Sequence, residues 1–193
     1  MRDGEDNAAG RLNVRRKTIQ IAKMGVLGAI SIVLVSLIHV SIIPAAPFLE
    51  YDPADVPILI AAFAFGPLAG LLLAAVVSLV QGLTVSAMSG PYGILMHIIA
   101  TGAFVAAAGS VYRLNKSKRM AALALVCGVI AMTAVMIPAN LTITPAFTGW
   151  PVEEVKALML PGIIPFNLVK AGLNAIITFV LYKRVSRYLH GGH

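Results

Sequence analysis

Apolar and polar positions in this chain segregate into long blocks. Residues 1–17 are polar, and from Met24 to Leu49 no residue is charged. This run predicts a first helix from about Thr18 to Ile43, closed by Pro44 and Pro47. A short acidic stretch, PFLEYDPAD, follows, and then 57 uncharged residues from Val56 to Tyr112. Gly66-Pro67 and Ser89-Gly90-Pro91 are turn signals that divide this run into three. The second helix is expected over Pro53–Phe65, the third over Pro67–Met88 and the fourth over Pro91–Tyr112. A fifth is expected over Lys118–Leu141 and a sixth over Pro165–Tyr188. The loop at 142–161 between them holds a short amphipathic turn at Glu153–Met159. A bilayer crossing takes about 20 apolar residues. The second helix falls short of that, so its outer end must sink below the membrane surface, carrying the acidic loop with it.

Composition fits this picture. Of 193 residues, 59% are hydrophobic and 12% charged, where soluble domains carry about 25% charged residues. The expectation is an all-α integral membrane protein with one six-helix domain over 18–189, a polar tail at 1–17 and a short tail at 190–193. Thirteen of the fifteen Lys/Arg lie in three clusters, around Arg2–Lys23, Arg113–Arg119 and Lys183–Arg187. The acids Glu50, Asp52, Asp55, Glu153 and Glu154 lie elsewhere. By the positive-inside rule the clusters are cytoplasmic and the 44–55 and 142–161 loops are outside. An odd number of crossings must then separate the acidic loop from the Arg113 cluster, and three satisfy this. Both termini come out cytoplasmic, in a multi-pass protein of the cell membrane. The +7 net charge sits at helix ends, where it attracts anionic lipid headgroups. With no aromatic-interleaved basic groove, nucleic acid is not an expected partner. A single Cys127 and four scattered histidines exclude a disulfide framework and argue against a metal cluster. No cleavable targeting segment is expected.

The candidate chemistry lies on the last helix. Asn167, Lys170 and Asn174 share one face at i, i+3 and i+7. A lysine inside a span costs about 3 kcal/mol and usually faces the bundle interior. Lys170 can alternatively snorkel to the outer headgroups, being close to the start of its helix. Asn140, beside Pro138, can either cap the fifth helix or face the same site. Together these groups offer donors and acceptors to a small polar ligand. His39 and His97 are read as histidines satisfied by neighbouring helices. Ser89 lacks the flanks of a nucleophile elbow, and no paired nucleophile and base suggests an enzyme. No phosphate-binding loop of the Gly-x-x-x-x-Gly-Lys-Ser/Thr type occurs, so ATP-driven work must come from other subunits. Small residues at four-residue spacing, such as Gly25/Ala29, Gly66/Gly70/Ala74, Gly102/Ala106/Ser110 and Ala171/Ala175, permit close helix packing. Gly25/Ala29 on the first helix is the best placed for an external partner.

Three stretches resemble a known family, the riboflavin-binding S components of energy-coupling factor (ECF) transporters. They are PFLEYDPADVP at 47–57 with AFAFGP at 62–67, SGPYG at 89–93, and GIIPFNLVKAGLNA at 162–175. The resemblance covers nearly the whole chain. It implies a subunit that binds riboflavin from outside and docks on a transmembrane coupling subunit carrying two ABC-type ATPases. Riboflavin is then cargo, and no cofactor is implied. Residues matching Asn140, Asn167 and Lys170 supply polar contacts in the family, and loop 1, here Phe48, Leu49, Glu50 and Tyr51, helps cover the ligand. The docking motif Ala-x-x-x-Ala is matched by Gly25 and Ala29, with Gly in the first place. A flavin suits the residues present: Leu49, Tyr51, Tyr92 and Met96 for its apolar edge, and the Asn/Lys face, Asn174 included, for its polar edge and hydroxyls. An S component for FMN or another vitamin is the nearest alternative, and a ligand-free scaffold or an intramembrane enzyme a more distant one.

Overall fold

The computed structural model describes residues 2–43 and 49–189, with side chains described over 13–43 and 49–185. The chain forms helices α1 (Arg2–Leu37), α2 (Asp55–Phe65), α3 (Pro67–Leu83), α4 (Gly90–Leu114), α5 (Lys118–Thr148), α6 (Val152–Leu158) and α7 (Ile164–Leu189). Two short strands, β1 (Val40–Ser41) and β2 (Glu50–Tyr51), pair antiparallel between α1 and α2. Among the described residues, four stretches are long and apolar enough to cross a membrane: Asn13–Leu37, Ala87–Leu114, Lys118–Thr148 and Val152–Val185. The apolar helices α2 and α3 are shorter.

The bundle is built around α2. Every residue from Asp55 to Ala64 is buried, as expected of a helix that is apolar all round. It packs against α1, α3, α4 and α7, while α5 closes the bundle by packing on α4 and α7. Gly66 permits the sharp reversal into α3 with φ at 99°, a conformation L side chains rarely adopt, and Pro67 opens the new helix at its first position. Four residues on, Gly70 brings α3 close: an added Cβ would lie 2.6 Å from Ala62 Cβ and 2.7 Å from Val105 Cγ1. Gly70 is thus internal packing, as are the buried Ala171 and Ala175. At the end away from the strands, Phe63 stacks on Tyr112 with centroids 4.1 Å apart, and Tyr182 meets both edge-on.

Several boundaries differ from the sequence expectations. Helix α1 begins at Arg2, so residues 2–17 are its first turns rather than a separate tail. It ends at Leu37 rather than Ile43, because the β-branched stretch after His39 pairs with Glu50 and Tyr51 instead. Helix α3 stops at Leu83, followed by a 3-10 turn over Ala87–Ser89. Helix α5 continues past Leu141 to Thr148 through Pro138 and Pro145. Threonine hydroxyls follow both prolines: Thr142 Oγ1 donates to Pro138 O at 2.9 Å, and Thr148 Oγ1 donates to Thr144 O at 2.9 Å. The expected 142–161 loop shrinks accordingly. After α6, a π-helical turn over Met159–Ile163 carries Pro161 and leads directly into α7. A missing proline N–H favours such a widened turn.

Candidate functional site

A cavity opens at the strand end of the bundle, between α3, α4, α5 and α7 and beneath β2. It offers ≈ 130 Å³ to the centres of water-sized molecules. The chain order explains its placement. Helix α2 is short and starts deep, so the loop before it drops into the bundle and forms the cavity roof. Leu49, Glu50, Tyr92, Met96, Asn140, Asn167 and Lys170, all expected at the site, line it. Phe48 lies outside the described residues. Apolar surface comes from Met132, Met136, Ile143 and Phe166, and from Phe147, whose ring lies 5.7 Å from that of Tyr92.

The polar wall is held in place by its own helices. Asn140 is completely buried in the middle of α5, so it is not a helix cap. Its Nδ2 donates to Met136 O at 2.8 Å, and its Oδ1 accepts from Thr144 Oγ1 at 2.9 Å. Asn167 Nδ2 donates to Ile163 O at 2.8 Å. Each side chain is thereby fixed in one rotamer. Lys170 turns inward rather than to a headgroup. Its Nζ donates to Asp52 Oδ2 at 2.7 Å and to the Glu50 carbonyl at 3.2 Å. The lysine therefore has a buried counter-ion, supplied by loop 1. Burial pushes the Asp52 carboxyl up, but the adjacent Lys170 ammonium, with the hydrogen bonds from Lys170 and from Ala54 N–H, prevails and holds it below its usual range.

Two expected ligand residues have other work. Asn174 lies a turn below the cavity lining, where Nδ2 donates to Asp52 O and to Asp55 Oδ2, both at 3.1 Å. Tyr51 also stands outside the lining and donates to Asn174 Oδ1 at 3.3 Å. Both tie loop 1 to α7. The network continues sideways: Thr101 Oγ1 donates to Asp55 Oδ1 at 2.6 Å, and His97 Nε2 lies 3.7 Å from the same oxygen. At the rim, His39 Nε2 meets Glu50 Oε2 at 2.7 Å.

The family model described as ECF transporter, substrate-specific component, matches residues 19–182. The chain belongs to this family. It is similar to the riboflavin transporter RibU of Staphylococcus aureus (strain TCH60), 30% identical over 189 residues that cover 95% of this chain and 98% of that protein. It is also similar to the riboflavin transporter FmnP of Bacillus subtilis (strain 168), 28% identical over 76% of this chain and 82% of that one. A solved S component of a bacterial ECF transporter superposes with a TM-score of 0.78 at 30% identity, covering 91% of this chain and 99% of its own. ThiT from Listeria monocytogenes shares the fold alone, with a TM-score of 0.65 at 19% identity over 90% and 98% of the two chains. The family is one of transport components, not enzymes, and its members take their substrate as cargo.

For this S component, sequence reasoning undervalued the acids of loop 1. Asp52 and Asp55 are both buried, in the acidic loop that the short second helix is expected to carry below the surface. The signal was available: a loop forced below the surface by a short helix must find cations or amides for its carboxylates. Gln81, Ser78 and His97 also line the cavity without having been expected there. Gly25 and Ala29 are exposed on α1, and a Cβ on Gly25 would meet nothing within 4 Å.

Proposed function

We propose that this chain is the riboflavin-binding S component of an ECF vitamin transporter, capturing riboflavin outside the cell for uptake. The observation that carries the reading is the cavity itself. It joins a fixed amide wall, Asn140 and Asn167, to an aromatic and methionine-rich wall at the end opposite the Arg113–Arg119 cluster. A flat ring with one polar edge and a hydroxylated chain matches these two surfaces. The names of the relatives point to the same vitamin. Asn140, Asn167 and Lys170 contact the ligand's polar groups in this reading, Leu49, Tyr92 and Met96 its apolar edge, and Phe48 with Glu50 helps cover it. Tyr51 and Asn174 act from beneath by holding loop 1.

A phosphorylated flavin fits less well. Among the described cavity-lining residues Lys170 is the one Lys or Arg, and its ammonium is paired with Asp52. Glu50 in the same wall would repel a phosphate.

The reading includes six crossings, with α2 and α3 as the two shorter ones, both termini cytoplasmic and the strand end outside, in the cell membrane. The exposed Gly25/Ala29 face of α1 is the surface for the transmembrane coupling subunit, which two ABC-type ATPases power, and the basic helix ends meet anionic lipid. Protein purified from cells grown with riboflavin should be yellow, with flavin absorbance bands. A colourless preparation that also fails to bind added riboflavin would refute the assignment.

A further inference from the structure

Side chains from three separate parts of the chain meet at the cavity rim. His39 follows the end of α1, Glu50 lies in β2, and Ser86 lies in the turn after α3. All three line the cavity. His39 Nε2 is 2.7 Å from Glu50 Oε2 and 3.5 Å from Ser86 Oγ. Glu50 is held from a second side, since its carbonyl accepts from Lys170 Nζ at 3.2 Å. The strand register does not impose the His39 contact. It sets Val40 against Tyr51 and Ser41 against Glu50, and leaves His39 outside the ladder. So short a ladder has little stability of its own, so the side-chain contact matters to whether this part of the rim stays closed.

The chemistry of the pair makes its strength depend on protons. A carboxylate only accepts, so the 2.7 Å contact places a proton on His39 Nε2. In the neutral ring Nδ1 is then the site for a second proton. The side chain is 21% exposed, so water can deliver one. With it the ring becomes a cation, and the hydrogen bond to Glu50 becomes a stronger, charge-assisted one. Histidine is the side chain whose ordinary charge change falls between pH 5 and 8. The surroundings leave this pairing simple. The turn after α3 contributes Ser86, which does not titrate. From α7 comes Lys170, whose ammonium is engaged by Asp52 at 2.7 Å. Among the described residues, Glu50 is the one acid within ion-pair distance of His39.

We infer that His39 is a pH-responsive clasp on the cavity rim, tying β2 to the end of α1 more firmly as the outside medium acidifies and so slowing escape of the bound ligand. His39 is a positioning residue here and acts through Glu50. The effect falls on release, because a ligand leaving through the rim must part the clasp first. The inference rests on the riboflavin reading and goes beyond it: retention of the vitamin becomes sensitive to the pH outside, through a side chain of the connection between α1 and β1.

The test is the rate of riboflavin release, followed by recovery of flavin fluorescence after dilution of the loaded protein in detergent, at pH 8 and at pH 6. Wild type is compared with His39→Gln, which keeps an N–H donor but cannot gain a charge, and with His39→Leu, which keeps neither. Partly exposed ion pairs are weak, so wild type should release riboflavin about threefold more slowly at pH 6 than at pH 8. His39→Gln should release it at one rate at both pH values, close to that of wild type at pH 8. His39→Leu should release it faster than either, again at one rate. A wild-type rate that does not change with pH would overturn the clasp and leave the riboflavin reading standing. The same pH dependence in His39→Gln would do so too, because the proton would then reside elsewhere. Loss of riboflavin binding in His39→Gln would place His39 in the pocket or the core rather than on the rim, and would also overturn it. Wild-type protein that binds no riboflavin would overturn that reading and the clasp with it.

Discussion

Removing the Lys170 ammonium should weaken riboflavin binding in two ways, by releasing loop 1 and by removing a donor to the ligand. Lys170 and Asp52 are both buried, 2.7 Å apart, and the same ammonium donates to the Glu50 carbonyl. Lys170→Met leaves the Asp52 carboxylate buried without its cation. Breaking a buried pair from one side costs about 3–5 kcal/mol. At 1.4 kcal/mol per tenfold, this would be at least about 100-fold if it fell wholly on the closed state. Asp52 lies in a loop, so opening that loop to water relieves the charge, and the closed, ligand-covering state bears the cost. We expect Lys170→Met to bind riboflavin about 100-fold more weakly. Adding Asp52→Asn removes the stranded charge and should restore about tenfold of that loss. The remainder is the direct contribution of the ammonium to the ligand. Fluorescence-quenching titrations of wild type, both single variants and the double variant close the cycle. Wild-type affinity in Lys170→Met, or losses that simply add in the double variant, would refute the reasoning.

Three further outcomes are expected. In a Cys127→Ala background, an impermeant thiol reagent on intact cells should label Glu153→Cys and spare Lys116→Cys; labelling of position 116 would reverse the topology. Ala29→Trp places bulk on the exposed α1 face and should abolish uptake while leaving riboflavin affinity within about twofold, because a partner helix can no longer approach; parallel loss of binding and uptake would mean that the face packs internally. Because Asp52 titrates below its ordinary 3.8, its carboxylate stabilises the fold above that value and loses this effect as pH falls through its depressed folded value. The thermal-stability gap between wild type and Asp52→Asn should therefore hold steady from pH 7 to 5 and narrow only under stronger acid; narrowing near neutrality would contradict this.

The helical plan was legible because its punctuation is chemical. Gly66-Pro67 ends α2 and starts α3 where expected, and Ser89-Gly90-Pro91 marks the start of α4 to within a residue. Lys170 and Asn167 declared themselves as polar groups in an apolar helix, and both line the cavity. What escaped has physical reasons. A two-residue strand pair has no periodicity to detect. Helix α5 passes through Pro138 and Pro145, where proline ordinarily reads as a helix end. The Lys170–Asp52 pair joins residues 118 positions apart, so the sequence shows a lysine in an apolar helix and an acid in a sunken loop without showing that the fold makes them one buried unit. Asn174 shares the face of Asn167 and Lys170, yet depth along α7 assigns it to loop 1 rather than to the cavity.

The central claim is that riboflavin occupies this cavity against the amide wall, and an equilibrium titration of riboflavin into wild-type and Asn167→Ala protein tests it most directly. The account predicts quenching that saturates at one flavin per chain in the wild type, and a 10- to 100-fold weaker dissociation constant, about 1–3 kcal/mol, in Asn167→Ala. Identical affinities in the two proteins, or no saturable quenching in the wild type, would contradict it.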